Sequence, residues 1–212
     1  MAQLVGRHVR DVEVGSSSLP TPTTEYMPAS LTEQILERAT ALEALRFGEF
    51  KLSAGNVSHY YFDGRILTLD PTGAYLVAKA FILLLKKFDV DAIAGPTLGA
   101  DPIVAAVAVV SHLEGHHIPG LIVRKTQKGY GTSKIIEGPF RSSMQVAVVD
   151  DTCSSGASLL YAIETIEKRG SKVVKVLSIL DRNEGGGDTI RRRGYNFSSL
   201  LIADKDGAIR PT

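Results

Sequence analysis

Asp150 and Asp151 stand side by side in VAVVDDTCSSGAS, after an apolar run and before a loop of small residues around Gly156. An apolar run that ends in two acids reads as a buried strand carrying carboxylates to its carboxyl end, where ligands bind in an open α/β sheet. The loop that follows, Thr152 to Ser158, opens a helix. Exposed N–H groups at a helix start favour an anion, and serine hydroxyls add donors. Acceptors beside an anion site suit a ligand that joins vicinal hydroxyls to a phosphate, a ribose 5-phosphate. A plainer reading stands beside it: one Asp caps the helix and the other faces solvent. Spacing alone leaves both open.

The rest of the chain must supply the sheet. Apolar runs at 91–95, 119–124, 145–150, 173–180 and 198–203 read as strands, separated by helical patterns at 72–88, 101–113 and 157–169. Strands apolar on both faces, alternating with helices, predict a parallel sheet covered on both sides. Ser30 and Glu33 have capping-box spacing and start a helix whose apolar face, Leu31, Ile35, Leu42 and Leu45, runs to about Phe47. FKLSAG and HYYFDGR read as short strands outside the main sheet. Residues 1–29, rich in Ser, Thr and Pro, are expected to be a loosely ordered extension, with a single domain over 30–212.

Composition narrows the functional classes. With 212 residues, 44% hydrophobic and 22% charged, the chain is long enough for a proper core. A net charge of +1 argues against a broad nucleic-acid footprint, so any anion site is local. The single cysteine, Cys153, excludes an intrachain disulfide and fits the cytoplasm. No apolar run reaches membrane-span length, and the N-terminus lacks the order of a signal peptide. No Walker loop or G-x-S-x-G elbow occurs, and GYGTSK fails the dinucleotide fingerprint at its last position, Lys134. His112, His116 and His117 read as a polar helix end, and Arg191 to Arg193 as a solvated turn.

VAVVDDTCSSGAS resembles the phosphoribosyl diphosphate (PRPP) motif of the type I phosphoribosyltransferases. Three further segments, FKLSAGNVSHYYFDGR, VRKTQKGYGTSKIIEG and LSILDRNEGG, resemble the orotate phosphoribosyltransferase branch and occur in its order. The resemblance implies an α/β fold with a central parallel sheet, flanking helices and a small N-terminal hood from about residues 30–70. It implies transfer of the ribose 5-phosphate of PRPP to orotate, with Mg²⁺ bound mainly through PRPP rather than by protein ligands. The expected assembly is a homodimer with the lid shared across the interface, engaging neither nucleic acid nor membrane.

By the same resemblance, Ser154, Ser155, Gly156, Ala157 and Ser158 hold the 5-phosphate, and Asp150 and Asp151 accept from ribose hydroxyls. Arg124, Lys125 and Lys128, on a segment with Gly129 and Gly131, form a lid that brings cations to pyrophosphate; the alternative is a solvated basic loop. Arg182 takes the orotate carboxylate, unless it serves only as an ion-pair partner of Asp181 or Glu184. Tyr61 and Phe62 line the base pocket, or belong to an ordinary half-buried strand. GPTLGADP, with Leu98 and Gly99, corresponds to the pyrophosphate loop, where backbone N–H groups meet phosphate; a plain turn is the alternative. The chain departs from some bacterial members at Ser53, where they carry Lys, at Leu98 and Gly99, where they carry Tyr-Lys, and at Tyr130, where His is frequent; Ser154 and Ala157 replace frequent Thr. Two rival readings follow: transfer to another base, or a PRPP sensor without transfer.

Overall fold

The structure is a computed structural model that describes residues 30–51, 57–125 and 134–212. The predicted extension and Ser53, Lys128 and Tyr130 lie outside the described residues. The chain opens with α1 (Leu31–Ala41), capped as its sequence requires: Glu33 N–H donates to Ser30 Oγ at 3.2 Å, and Ser30 N–H to Glu33 Oε2 at 2.6 Å. The helix stops at Ala41, short of the expected Phe47, because Glu43 adopts a left-handed φ of 55° and the chain turns into a strand. Leu45, buried, and Phe47, exposed, both belong to β1 (Leu45–Lys51), which pairs antiparallel with β2 (Val57–Phe62). A short helix, α2 (Gly64–Thr68), closes this hood.

The main sheet follows with α3 (Pro71–Leu85), β3 (Ala92–Pro96), α4 (Asp101–Leu113), β4 (Gly120–Val123) and β5 (Ile136–Glu137). Next come β6 (Gln145–Cys153), α5 (Ala157–Glu167), β7 (Lys172–Asp181), α6 (Gly186–Arg192), β8 (Phe197–Ala203) and β9 (Ile209–Pro211). Strand order is β5-β4-β3-β6-β7-β8-β9. The pairs from β4 to β8 are parallel, and β5 and β9 are antiparallel edges. The two-residue β5, the three-residue β9 and the glycine-led α6 have too few periodic residues to announce themselves in sequence.

Alternation along the strands builds two cores. Ile93, Ala147, Val149, Leu177 and Ile179 face one side with α1, α3 and α4, whereas Ala94, Val146, Val148 and Val176 face the other with Leu159 and Ile163 of α5. Burying such side chains contributes about 1.5–3 kcal/mol each. Arg38 ties α1 to the start of α3, donating from Nε and Nη2 to Asp70 at 2.9 and 2.6 Å, while the Asp70 carboxylate caps α3 through Gly73 N–H at 2.8 Å. The Arg38 guanidinium, with that cap, holds the Asp70 carboxyl down to about 2.

Strand order reverses between β3 and β6: the chain moves outward one way from β3 to β4, and the other way from β6 through β7 to β8. A crevice opens beyond the carboxyl ends at such a switch point.

Candidate active site

Asp150 and Asp151 sit in that crevice. Strand β6 runs to Cys153, three residues past the predicted end, because its ladder with β7 continues through Asp150 opposite Ser178 and Cys153 opposite Asp181. The acids therefore belong to the strand. Asp150 is buried and Asp151 half-buried, and Asp151 N–H donates to Asp150 Oδ1 at 3.0 Å. Burial, then the neighbouring Asp151 carboxylate, pushes the Asp150 carboxyl up to about 8; burial also raises Asp151.

Glycines make room for Asp151. A Cβ on Gly64, at the start of α2, would lie 2.5 Å from Asp151 Cβ, and a Cβ on Gly99 would lie 2.7–2.9 Å from its carboxylate. Hood and main domain thus close on this side chain from two directions. A cavity of about 340 Å³ beside it is lined by Tyr61, Phe62, Asp63, Arg65, Thr97, Leu98, Gly99, Lys125, Asp150, Asp151 and Ser158, among others. The turn after β3, Thr97 to Ala100, fixes itself through Thr97 Oγ1, which donates to Asp101 at 2.8 Å; the Thr97–Leu98 peptide is cis.

The loop after β6 reaches α5 through Gly156, whose φ of 77° suits glycine, and no side chain caps that helix. Gly156 at the N-cap offers no side-chain acceptor, and the Ala157 N–H reaches Ser155 Oγ only at 3.5 Å. Cys153, buried beneath, has its thiol pushed up to about 12 by burial, which makes it inert. The basic segment is described only at its stems. There Tyr161 of α5 donates its hydroxyl to the carbonyls of Arg124 and Lys125 at 2.9 and 3.2 Å. The Arg124 guanidinium lies 3.6 Å from Glu137. Lys125 lines the cavity and a second hollow of about 240 Å³ beside Ala157, Ser158 and Tyr161.

Arg182 follows β7 and is joined to β6 by its N–H, which donates to Cys153 O at 2.9 Å. Its guanidinium stacks on Tyr60 with 4.8 Å to the ring centre, donates to Glu184 at 2.9 Å and reaches Ser58 Oγ at 3.4 Å. Arg182 is ion-paired to Glu184, as the plainer reading expects, with its side chain 10% exposed; it does not line the cavity beside Asp151. The expected aromatic pair divides: Phe62 shares a strand face with Ser58 and Tyr60, whereas Tyr61 turns to Phe50 and Arg46, though both line the cavity. Sequence reading missed Ser58 and Tyr60, which the period of two through Phe62 would have found, and Asp63, Arg65 and Tyr161, which carry no spacing signal. Arg191 and Arg192 belong to the last turn of α6 rather than a loose turn, where cations offset the helix dipole.

The carboxylates stand at a switch-point crevice before a helix start, and residues 77–194 match the phosphoribosyl transferase domain family. The orotate phosphoribosyltransferase of Aquifex aeolicus is 42% identical over 152 residues, covering 72% of this chain and 83% of that protein. A phosphoribosyltransferase structure from Corynebacterium diphtheriae superposes with a TM-score of 0.71 at 32% identity, covering 82% of this chain and 96% of the other. The Mycobacterium tuberculosis orotate phosphoribosyltransferase in complex with PRPP superposes with a TM-score of 0.69 at 30% identity, covering 82% and 96%. The chain belongs to the orotate phosphoribosyltransferase family and has the type I phosphoribosyltransferase fold.

Proposed function

We propose that this chain transfers the ribose 5-phosphate of PRPP to orotate, giving orotidine 5'-phosphate and pyrophosphate, a step of pyrimidine synthesis. The observation that supports this reading is the cavity at the switch point, which Asp150, Asp151, Lys125 and Ser158 line together, with Arg182 joined to the end of β6 through Cys153 O. The loop N–H groups donate to the 5-phosphate, and the two carboxylates accept from ribose hydroxyls. The bond from ribose C1 to the pyrophosphate oxygen breaks, its electron pair leaving with pyrophosphate. An orotate ring nitrogen forms the new bond and gives up its proton.

Charge at C1 develops toward an oxocarbenium ion, so the protein's work is to position groups and exclude water. Lys125 and the turn at Thr97 to Gly99 face the departing pyrophosphate, with Arg124 and Lys128 as further lid cations. A divalent cation fits the hard oxygen donors of the acids, and Mg²⁺ is the one proposed; among the described residues no group of three His, Cys, Asp or Glu is placed to hold a metal. Bound through PRPP, it would neutralise pyrophosphate charge. Arg182 selects a carboxylate-bearing base: orotate replaces Glu184 as its partner, while Tyr60 fixes the guanidinium plane.

A homodimer with a shared lid completes the reading. Tyr75 and Leu83 on α3, and Val109 and Leu113 on α4, are exposed apolar side chains that a two-fold interface would cover. A cytoplasmic setting suits the lone buried cysteine; no helix among the described residues is long and apolar enough to cross a membrane. The test is a base screen with PRPP and Mg²⁺. Orotate should yield orotidine 5'-phosphate, and Arg182→Ala should raise the Michaelis constant for orotate, rather than PRPP, by roughly ten- to a hundredfold. Turnover of a purine or uracil with none of orotate would overturn the proposal, and PRPP binding without transfer to any base would mark a sensor.

A further inference from the structure

The cavity poses a charge problem. Its described lining holds three carboxylates, Asp63, Asp150 and Asp151, against two cations, Lys125 and Arg65, yet PRPP brings a pyrophosphate there. The turn that faces the pyrophosphate contributes no cation, since Leu98 is an exposed apolar side chain and Gly99 has none. Gly99 has no room for one: any Cβ there would strike the Asp151 carboxylate at 2.7–2.9 Å. Compensating charge must come from another wall.

The hood wall offers one. Arg65, at the start of α2, lines the same cavity as Leu98, Gly99 and Asp151, with its side chain 46% exposed. Its Nε and Nη2 donate to the two Asp63 oxygens at 2.9 and 2.8 Å, and Asp63 also accepts from Arg65 N–H at 3.1 Å. That bidentate grip fixes the guanidinium plane at the cavity wall before any ligand arrives. The remaining N–H donors have no hydrogen-bonding partner among the described residues. An arginine held this way donates to phosphate oxygens with little further ordering. Asp63 thus serves as a holder on the pocket wall and the N-cap of α2 at once.

We propose that Arg65 is a pyrophosphate-binding residue of this site, supplying from the hood the cation that Leu98 and Gly99 do not. The proposal rests on the transferase reading above and gives a role to Arg65, the last residue of FKLSAGNVSHYYFDGR, to which the resemblance assigned none.

Calorimetry with inorganic pyrophosphate and Mg²⁺ tests it, beside steady-state Michaelis constants for PRPP and orotate. Arg65→Gln should bind pyrophosphate roughly ten- to a hundredfold more weakly and raise the PRPP constant similarly, with the orotate constant unmoved. Arg65→Lys, which keeps the charge and loses the fork, should fall between parent and Arg65→Gln and covers the case in which the glutamine variant does not fold. Unchanged pyrophosphate affinity in either folded variant would overturn the assignment while leaving the transferase reading intact. Equal losses for orotate and pyrophosphate would also overturn it, in favour of a structural role for the pair with Asp63. A parent protein that binds neither PRPP nor pyrophosphate would overturn the transferase reading and Arg65 with it.

Discussion

Asp150 is where stability and function oppose each other. Burial and the Asp151 carboxylate push its carboxyl up to about 8, from 3.8 for an ordinary aspartate, by disfavouring the charge. The folded state therefore holds a proton that the unfolded state releases, and stability falls as pH rises from about 4 to about 8. Asn mimics the protonated acid. Asp150→Asn should consequently melt above the parent at pH 8, with the gap closing toward pH 4, as differential scanning calorimetry would register. The same variant should bind PRPP more weakly, since a carboxylate accepts from ribose hydroxyls more strongly than a neutral amide oxygen. A variant no more stable at pH 8, or one with undiminished PRPP affinity, would contradict the placing of this acid against a ligand.

At the scale of elements, the strands and helices that carry the site were legible in sequence, because apolar runs and helical periods alternate from residue 72 to 203. What escaped were the short pieces around it. Helix α2 occupies five residues and sets Gly64 against Asp151, a contact between parts of the chain distant in sequence that no local period encodes. Leu45 and Phe47 fit a helical face as well as a strand, and only pairing with Phe62 and Tyr60 decided for the strand. The acids and Arg182 were found through their motifs, whereas Tyr60 beneath Arg182 depends on the register of the hairpin. The α2 contact yields a prediction. Gly64→Ala must displace Asp151 or shift the hood, so it should cost about 1–3 kcal/mol in denaturant unfolding and raise the Michaelis constant for PRPP. A variant with parental stability and PRPP constant would show that hood and acid do not close together.

The whole molecule, on this account, is a pair of chains in which the family's lid lysine works across the interface. Lys128 lies outside the described residues, so the proposal is tested by complementation. Inactive Lys128→Ala and inactive Asp151→Asn proteins, mixed equally and allowed to exchange, should recover roughly a quarter of parental activity, because half the dimers carry one intact site. No recovery, with exchange confirmed by native mass spectrometry, would assign Lys128 to its own subunit's site. The central claim is that one crevice holds phosphate, ribose and base together. A crystal structure with orotidine 5'-phosphate tests it most directly. The account predicts the 5-phosphate on the Ser154–Ser158 amides, ribose hydroxyls on Asp150 and Asp151, and the base carboxylate on Arg182, with Glu184 displaced. A phosphate bound elsewhere, or Arg182 still paired with Glu184 beside the bound nucleotide, would contradict it.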